Sequence, residues 1–183
     1  MEGSFALEGM IDGRRGMRRG YLIAEEGRVV EIGYGDCPVR PDRHGVVLTD
    51  VVNGHTHCAD YGLRVPEGLT LEELVAPPDG LKHRYLRDTG DEVLSRNMSR
   101  FAADSRSSGS SAFLDFREGG LHGCRLLRKV APDAVILGRP VSPEFDPNEV
   151  GDILDVADGI GISSVSDMDH GYIEAVADMV RER

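Results

Sequence analysis

The sequence predicts an α/β fold in which a short β-rich segment, residues 1–50, precedes about four strand-and-helix units over residues 51–183. Two patterns carry this. Residues 4–50 hold β-rich runs parted by Gly- and Pro-marked turns, whereas beyond residue 51 short apolar runs alternate with stretches whose apolar residues recur at three- and four-residue steps. Such alternation calls for a parallel sheet with right-handed crossovers. A third observation is length: 183 residues fall short of the ~200–250 that a closed barrel of eight such units takes. Four units make half a barrel, so an incomplete barrel is expected.

In the first segment, Tyr21–Ala24 and Arg28–Ile32 are β-rich runs joined through Glu25-Glu26-Gly27, a hairpin turn whose glycine accepts positive φ. The preceding Arg14-Arg15-Gly16-Met17-Arg18-Arg19 reads as a solvated loop. It is too short, and too poor in aromatics, for a nucleic-acid patch. Pro38 and Pro41 mark a loop that includes His44, and Val46–Leu48 leads into the next strand.

Val51-Val52-Asn53-Gly54-His55-Thr56-His57 is the first strand of the second segment. A long excursion follows and lies where it can cover a site at the strand's carboxyl end, or serve as a structural loop. Within it Thr70-Leu71-Glu72-Glu73 has the form of a capping box, so a short helix starts there and stops at Pro77-Pro78; His83 is read as a surface residue. From Thr89 to Ser105, Val93, Leu94, Met98, Phe101 and Ala102 trace one helical face. Ala112–Phe116 is then a buried strand running into Arg117-Glu118-Gly119-Gly120. Leu121–Val130 is helical, with His122 near its start and peripheral, and Ala134–Gly138 is the third strand. Asp146-Pro147-Asn148-Glu149 starts a helix with a cap and a first-turn proline. Gly159–Ile162 is the fourth strand, and the last helix runs from about Asp169 to Glu182, with His170 peripheral.

Composition limits the function. A net charge of −11 argues against general binding to nucleic acid. Three widely spaced cysteines, Cys37, Cys58 and Cys124, do not form a disulfide framework and favour a reducing cytoplasm. No apolar run reaches the ~18 residues of a membrane span, and the acidic start lacks a signal-peptide pattern, so a soluble cytoplasmic protein is expected.

His55 and His57 carry the chemistry. On a strand, residues i and i+2 share a face, so two imidazoles project into one space. Neutral imidazole nitrogens converging at about 2.0–2.1 Å bind zinc or a similar metal. The alternative is a pair of surface histidines at a strand end.

The run Val46–His57 resembles the first barrel strand of the amidohydrolase superfamily, metal-dependent hydrolases and deaminases in which that strand ends in His-x-His. Thr49-Asp50 stands where that family usually has Pro-Gly. Phe113–Gly120 is similar to the end of strand two in deaminase-like members, and Gly20–Gly33 to the small β-domain that precedes a TIM-like barrel. The resemblance implies that His55 and His57 are metal ligands for zinc, with iron possible as the metal. It also implies that the remaining ligands, histidines from strands five and six and an aspartate from strand eight, come after the stretch represented here. Binuclear members carry a carboxylated lysine or a glutamate on strand four. Neither Lys82 nor Lys129, the two lysines, falls there, and Asp167 is the nearest carboxylate. This favours a one-metal, deaminase-like site in which an activated water attacks an amidine or amide carbon.

On that reading Asp167 is the catalytic carboxylate, and Arg117 and Glu118 hold the substrate; the alternative for the latter two is a local ion pair or a helix-entry turn. The expected activity is hydrolysis of carbon–nitrogen bonds other than peptide bonds, on a small molecule, with no nucleic-acid or membrane partner. The contrasting expectation is an inactive, truncated scaffold that self-associates through unpaired strand edges. A homo-oligomer, or a missing C-terminal half, is the expected partner.

Overall fold

The structure is a computed structural model that describes residues 3–166 and 168–183. It is a mixed α/β chain dividing into two compact units, Met1–Val51 and Val52–Arg183.

The first unit is a four-stranded sheet of β1 (Ser4–Gly13), β2 (Gly16–Glu25), β3 (Arg28–Tyr34) and β4 (Arg43–Val47), in the order β3-β2-β1-β4. β1 pairs antiparallel with β2 from Ser4↔Glu25 to Gly13↔Gly16, and parallel with β4. At the β2–β3 turn both Glu26 (φ 48°) and Gly27 (φ 76°) have positive φ, the conformation a tight two-residue hairpin demands. The arginine cluster departs from the expected loop. Arg14 and Arg15 form the turn, but Arg18 and Arg19 lie within β2, paired to Ile11 and Met10. Their long side chains stay exposed while the backbone completes the ladder, a pairing that charge alone does not reveal.

The second unit carries a sheet of β5 (Val51–Thr56), β6 (Ser110–Arg117), β7 (Val135–Gly138) and β8 (Gly159–Ile160), in that order. The β6–β7 and β7–β8 pairs are parallel. Six helices accompany it: α1 (Leu71–Val75), α2 (Leu81–Asp88), α3 (Asp91–Ser107), α4 (Gly120–Val130), α5 (Pro147–Leu154) and α6 (His170–Arg181). A 3₁₀ turn, Cys58–Gly62, follows β5.

Local chemistry sets these boundaries. Thr70 and Glu73 cap α1 reciprocally, Asp146 accepts from the Asn148 N–H ahead of α5, and Asp169 accepts from the Tyr172 N–H ahead of α6. α2 was not expected; it starts at Gly80 without a side-chain cap, so the local sequence carries little start signal. β8 is two residues rather than four, since Gly159 and Gly161 favour a strand weakly. The core lies between sheet and helices: Leu94, Met98 and Ala102 of α3 and Cys124 and Leu127 of α4 pack with Phe113, Ile136 and Ile153. A smaller cluster joins Val150, Tyr172 and Val176.

Candidate active site

β5 and β6 build the site through their alternation. On β6 the side chains of Phe113, Asp115 and Arg117 are buried, whereas Leu114 and Phe116 between them are less so. Thr56 of β5 is buried toward Asp115, its hydroxyl 2.9 Å from Asp115 Oδ2 and 3.0 Å from the Leu114 carbonyl. The residues on either side of Thr56 are His55 and His57. Their ring centroids are 5.3 Å apart, and the Phe116 ring lies 4.5 Å from that of His55.

Asp115 is the anchor behind them. Fully buried, it accepts from the Cys58 N–H at 2.5 Å and from Arg117 Nη1 at 3.3 Å. Together with the Thr56 hydroxyl, the Cys58 N–H ties the residues on both sides of His57 to this carboxylate. Arg117, 2% exposed, donates through Nε to the Glu118 carbonyl at 3.0 Å and through Nη2 to the Glu118 carboxylate at 2.7 Å. The other Glu118 oxygen, Oε1, lies 2.9 Å from His57 Nδ1 and 2.6 Å from Lys82 Nζ. Neither contact is an aligned hydrogen bond, so Oε1 keeps an unaligned lone pair in a buried setting. Burial works to raise the Glu118 pKa. The neighbouring His57 imidazole, Arg117 and Lys82 outweigh it and hold the carboxyl well below the usual range.

This settles a tautomer. His57 Nδ1 faces two acceptors, Glu118 Oε1 and the Phe116 carbonyl at 3.2 Å, so Nδ1 carries a proton and Nε2 is the ring nitrogen left for a metal. A carboxylate on the far nitrogen is the usual support of a metal-ligating histidine.

The histidine pair also passes a distance test. With zinc held at about 2.0–2.1 Å, a ring centroid lies roughly 3.2 Å from the ion, and two ligands at a tetrahedral angle stand about 5.2 Å apart. The observed 5.3 Å fits. Among the described residues, no group of three or more His, Cys, Asp or Glu is arranged to hold a metal ion, so the chain offers two imidazoles and their support rather than a full ligand set.

Both histidines line a cavity of about 490 Å³, shared with Asp60, Val75, Pro77, Lys82, His83, Phe116, Arg139, Ile162 and Ser163. Another cavity, of about 230 Å³, lies on the α3–α4 side, with Arg117 and Glu118 on its wall.

Of the residues singled out from sequence, His55, His57 and Glu118 come together, with Arg117 behind Glu118 and its donors engaged by protein groups. Asp167 lies outside the described residues. His122 is exposed beside Asp91, and His170 is exposed at the start of α6. Cys58 is buried, which pushes its thiol far up, and is no free nucleophile. Sequence reasoning missed Asp115, Lys82 and His83. The signal for Asp115 was a carboxylate inside an apolar run, two residues from an arginine on the same face. For Lys82 and His83 there was only the excursion's position. His83 is half-buried on the cavity wall, donating through Nε2 to the Val75 carbonyl at 3.0 Å.

No family model matches the sequence. Among curated proteins, the chain is 38% identical over 162 residues to an uncharacterized protein of Methanocaldococcus jannaschii, covering 82% of this chain and 41% of that protein. It is 34% identical over 166 residues to a "Putative aminohydrolase" of Methanothermobacter thermautotrophicus, covering 82% and 43%. A protein of the same name from Archaeoglobus fulgidus is 34% identical over 176 residues, covering 96% and 49%. The chain therefore spans less than half the length of each. Its fold is similar to that of atrazine chlorohydrolase from Arthrobacter aurescens complexed with zinc (TM-score 0.65, 14% identity, 97% of this chain and 51% of that one). It is also similar to guanine deaminase from Bradyrhizobium japonicum (TM-score 0.56, 12% identity, 84% and 40%).

Proposed function

We propose that this chain, which spans less than half the length of the curated relatives it matches, belongs to the amidohydrolase superfamily and supplies the histidine-bearing half of a metal-dependent hydrolase of carbon–nitrogen bonds other than peptide bonds. The observation that carries the proposal is the His55–His57 pair at 5.3 Å, with His57 Nδ1 held by Glu118. The names of the relatives and the zinc complex of the atrazine chlorohydrolase support the same reading.

In this reading residues 1–50 are a small β-domain and residues 51–183 the first four units of a TIM-like barrel. His55 and His57 would hold zinc, or iron, whose chemistry would be to lower the pKa of a water toward ~7. Glu118 orients His57, and Arg117 and Lys82 hold Glu118 ionised in its buried place. Phe116 and the α1–α2 excursion limit water on one side of the cavity. Asp167, following the fourth strand, is assigned the proton of the attacking water. The remaining ligands come from residues outside this stretch or from another chain.

The test is metal uptake by the full chain. Cobalt(II) titration of the wild type is expected to give a saturable visible spectrum that a His55→Ala/His57→Ala double variant lacks, with hydrolysis of amidines or lactams once the remaining ligands are supplied. Equal metal uptake by both proteins would sink the proposal.

A second reading is a self-associating scaffold, favoured by the apolar exposure of β3, where Val29, Val30, Ile32 and Tyr34 are each at least half exposed.

A further inference from the structure

The cavity lined by the two histidines has on its wall one arginine, Arg139, whose charge no described residue pairs. Three arginines of the described residues are not exposed: Arg117, Arg128 and Arg139. Arg117 is paired with Asp115 and Glu118, and Arg128 with Asp158 at 2.7 Å. The Arg139 side chain has no ion pair or hydrogen bond with any described residue. Its backbone, in contrast, is held on both sides: its N–H donates to the Arg117 carbonyl at 2.9 Å, and its carbonyl accepts from the Gly120 N–H at 3.2 Å. The residue follows β7 directly, at the carboxyl end of the parallel sheet, and lines the same cavity as His55 and His57.

The charges around it make this unusual. The chain carries 32 acidic residues against 21 basic ones, so partners for an arginine are abundant. The other lysine or arginine among the described lining residues, Lys82, is already occupied by Glu118 at 2.6 Å and Asp60 at 3.6 Å. Among the described residues, Asp60 is the single acidic lining group. A half-buried guanidinium without an anion is costly. Where a ligand brings the anion, that same group makes a charge-assisted, two-pronged contact.

We propose that Arg139 binds an oxyanionic group, a carboxylate or a phosphate, on the molecule that enters this cavity. The inference deepens the hydrolase reading by giving its substrate class: a compound with a carbon–nitrogen bond to be cleaved and an anionic substituent, its apolar body against Phe116 and Ile162. Arg117, in contrast, is already charge-compensated by Asp115 and Glu118.

The experiment uses the full chain freed of metal by chelation, so that its outcome is independent of metal binding. The arginine Nε–H resonances of ¹⁵N-labelled protein are followed during titration with benzoate and, separately, inorganic phosphate. One resonance, absent from Arg139→Gln, is expected to move saturably with at least one of the two anions, and the stronger response assigns carboxylate or phosphate. Affinity is expected to fall at least tenfold in Arg139→Gln, to be partly kept in Arg139→Lys, and to be unchanged in Arg125→Gln, an exposed arginine of α4. Far-ultraviolet spectra check that each variant is folded. No saturable shift with either anion, or equal binding by Arg139→Gln, overturns the inference. Anion binding at Arg139 without cobalt uptake at His55 and His57 would leave the anion site standing and the hydrolase reading refuted.

Discussion

His57 is held from one side by a carboxylate and from the other by backbone that Asp115 fixes, and each support makes a distinct prediction. Replacing Glu118 by Gln removes the charge facing Nδ1 while keeping the shape, and apparent cobalt affinity is expected to fall about 10- to 100-fold. Chelator competition measures this, and an unchanged affinity would separate Glu118 from the histidine pair. Asp115 acts on stability. It and Arg117 are at most 3% exposed in their side chains, so Asp115→Asn leaves a buried guanidinium undercompensated. The expected loss is about 3–5 kcal/mol, read from the urea midpoint.

At the scale of elements, the parallel sheet meets α4 through a close approach. Gly119 has φ 88°, in the left-handed region, and a Cβ on Gly123 would collide with the Glu118 carbonyl. Gly123→Ala is therefore expected to cost about 1–3 kcal/mol in a thermal or urea melt and to displace Glu118, lowering metal affinity as well. A different clamp joins α4 to the strand ends. Arg128 donates to the carbonyls of Pro132, Ala134 and Val156, and Asp158 accepts from Arg128 and from the Ile136 N–H at 2.8 Å. Burial pushes the Asp158 pKa up, but the Ile136 N–H and Arg128 pull it below its ordinary 3.8. A depressed folded pKa gives stability that is present above the ordinary value and lost as pH falls through the folded one. The wild type is thus expected to exceed Asp158→Asn in urea stability at neutral pH, with the gap closing below about pH 4; a gap constant with pH would remove the clamp's ionic part.

The whole molecule raises the question of what meets its open edges. β3 and β5 are end strands of their sheets, and the chain covers 41–49% of its curated relatives. If the exposed apolar β3 drives association, light scattering at tens of micromolar protein is expected to give a mass above 19.9 kDa, reduced by Ile32→Lys. Monomers in both proteins would leave self-association without support. Among the described residues, no helix is long and apolar enough to cross a membrane.

Much of the element order was legible from local chemistry, because a capping Thr70 or Asp146, a helical stripe through Leu94 and Met98, and a glycine with positive φ at position 27 act within a few residues of themselves. That His55 and His57 flank a buried Thr56 likewise follows from strand alternation, although β5 ends at Thr56 and His57 already opens the 3₁₀ turn. Partner choice did not follow. That Glu118 faces His57, that Lys82 arrives from a helix in the excursion and that Asp115 grips the turn after His57 are consequences of tertiary neighbours brought together from positions 36 to 61 residues apart, as is the placing of Arg139 where no described anion answers it. Long-range contacts of this kind leave no period in the sequence, since what selects them is the burial of charge, and burial exists only once the sheet and its helices have closed around it.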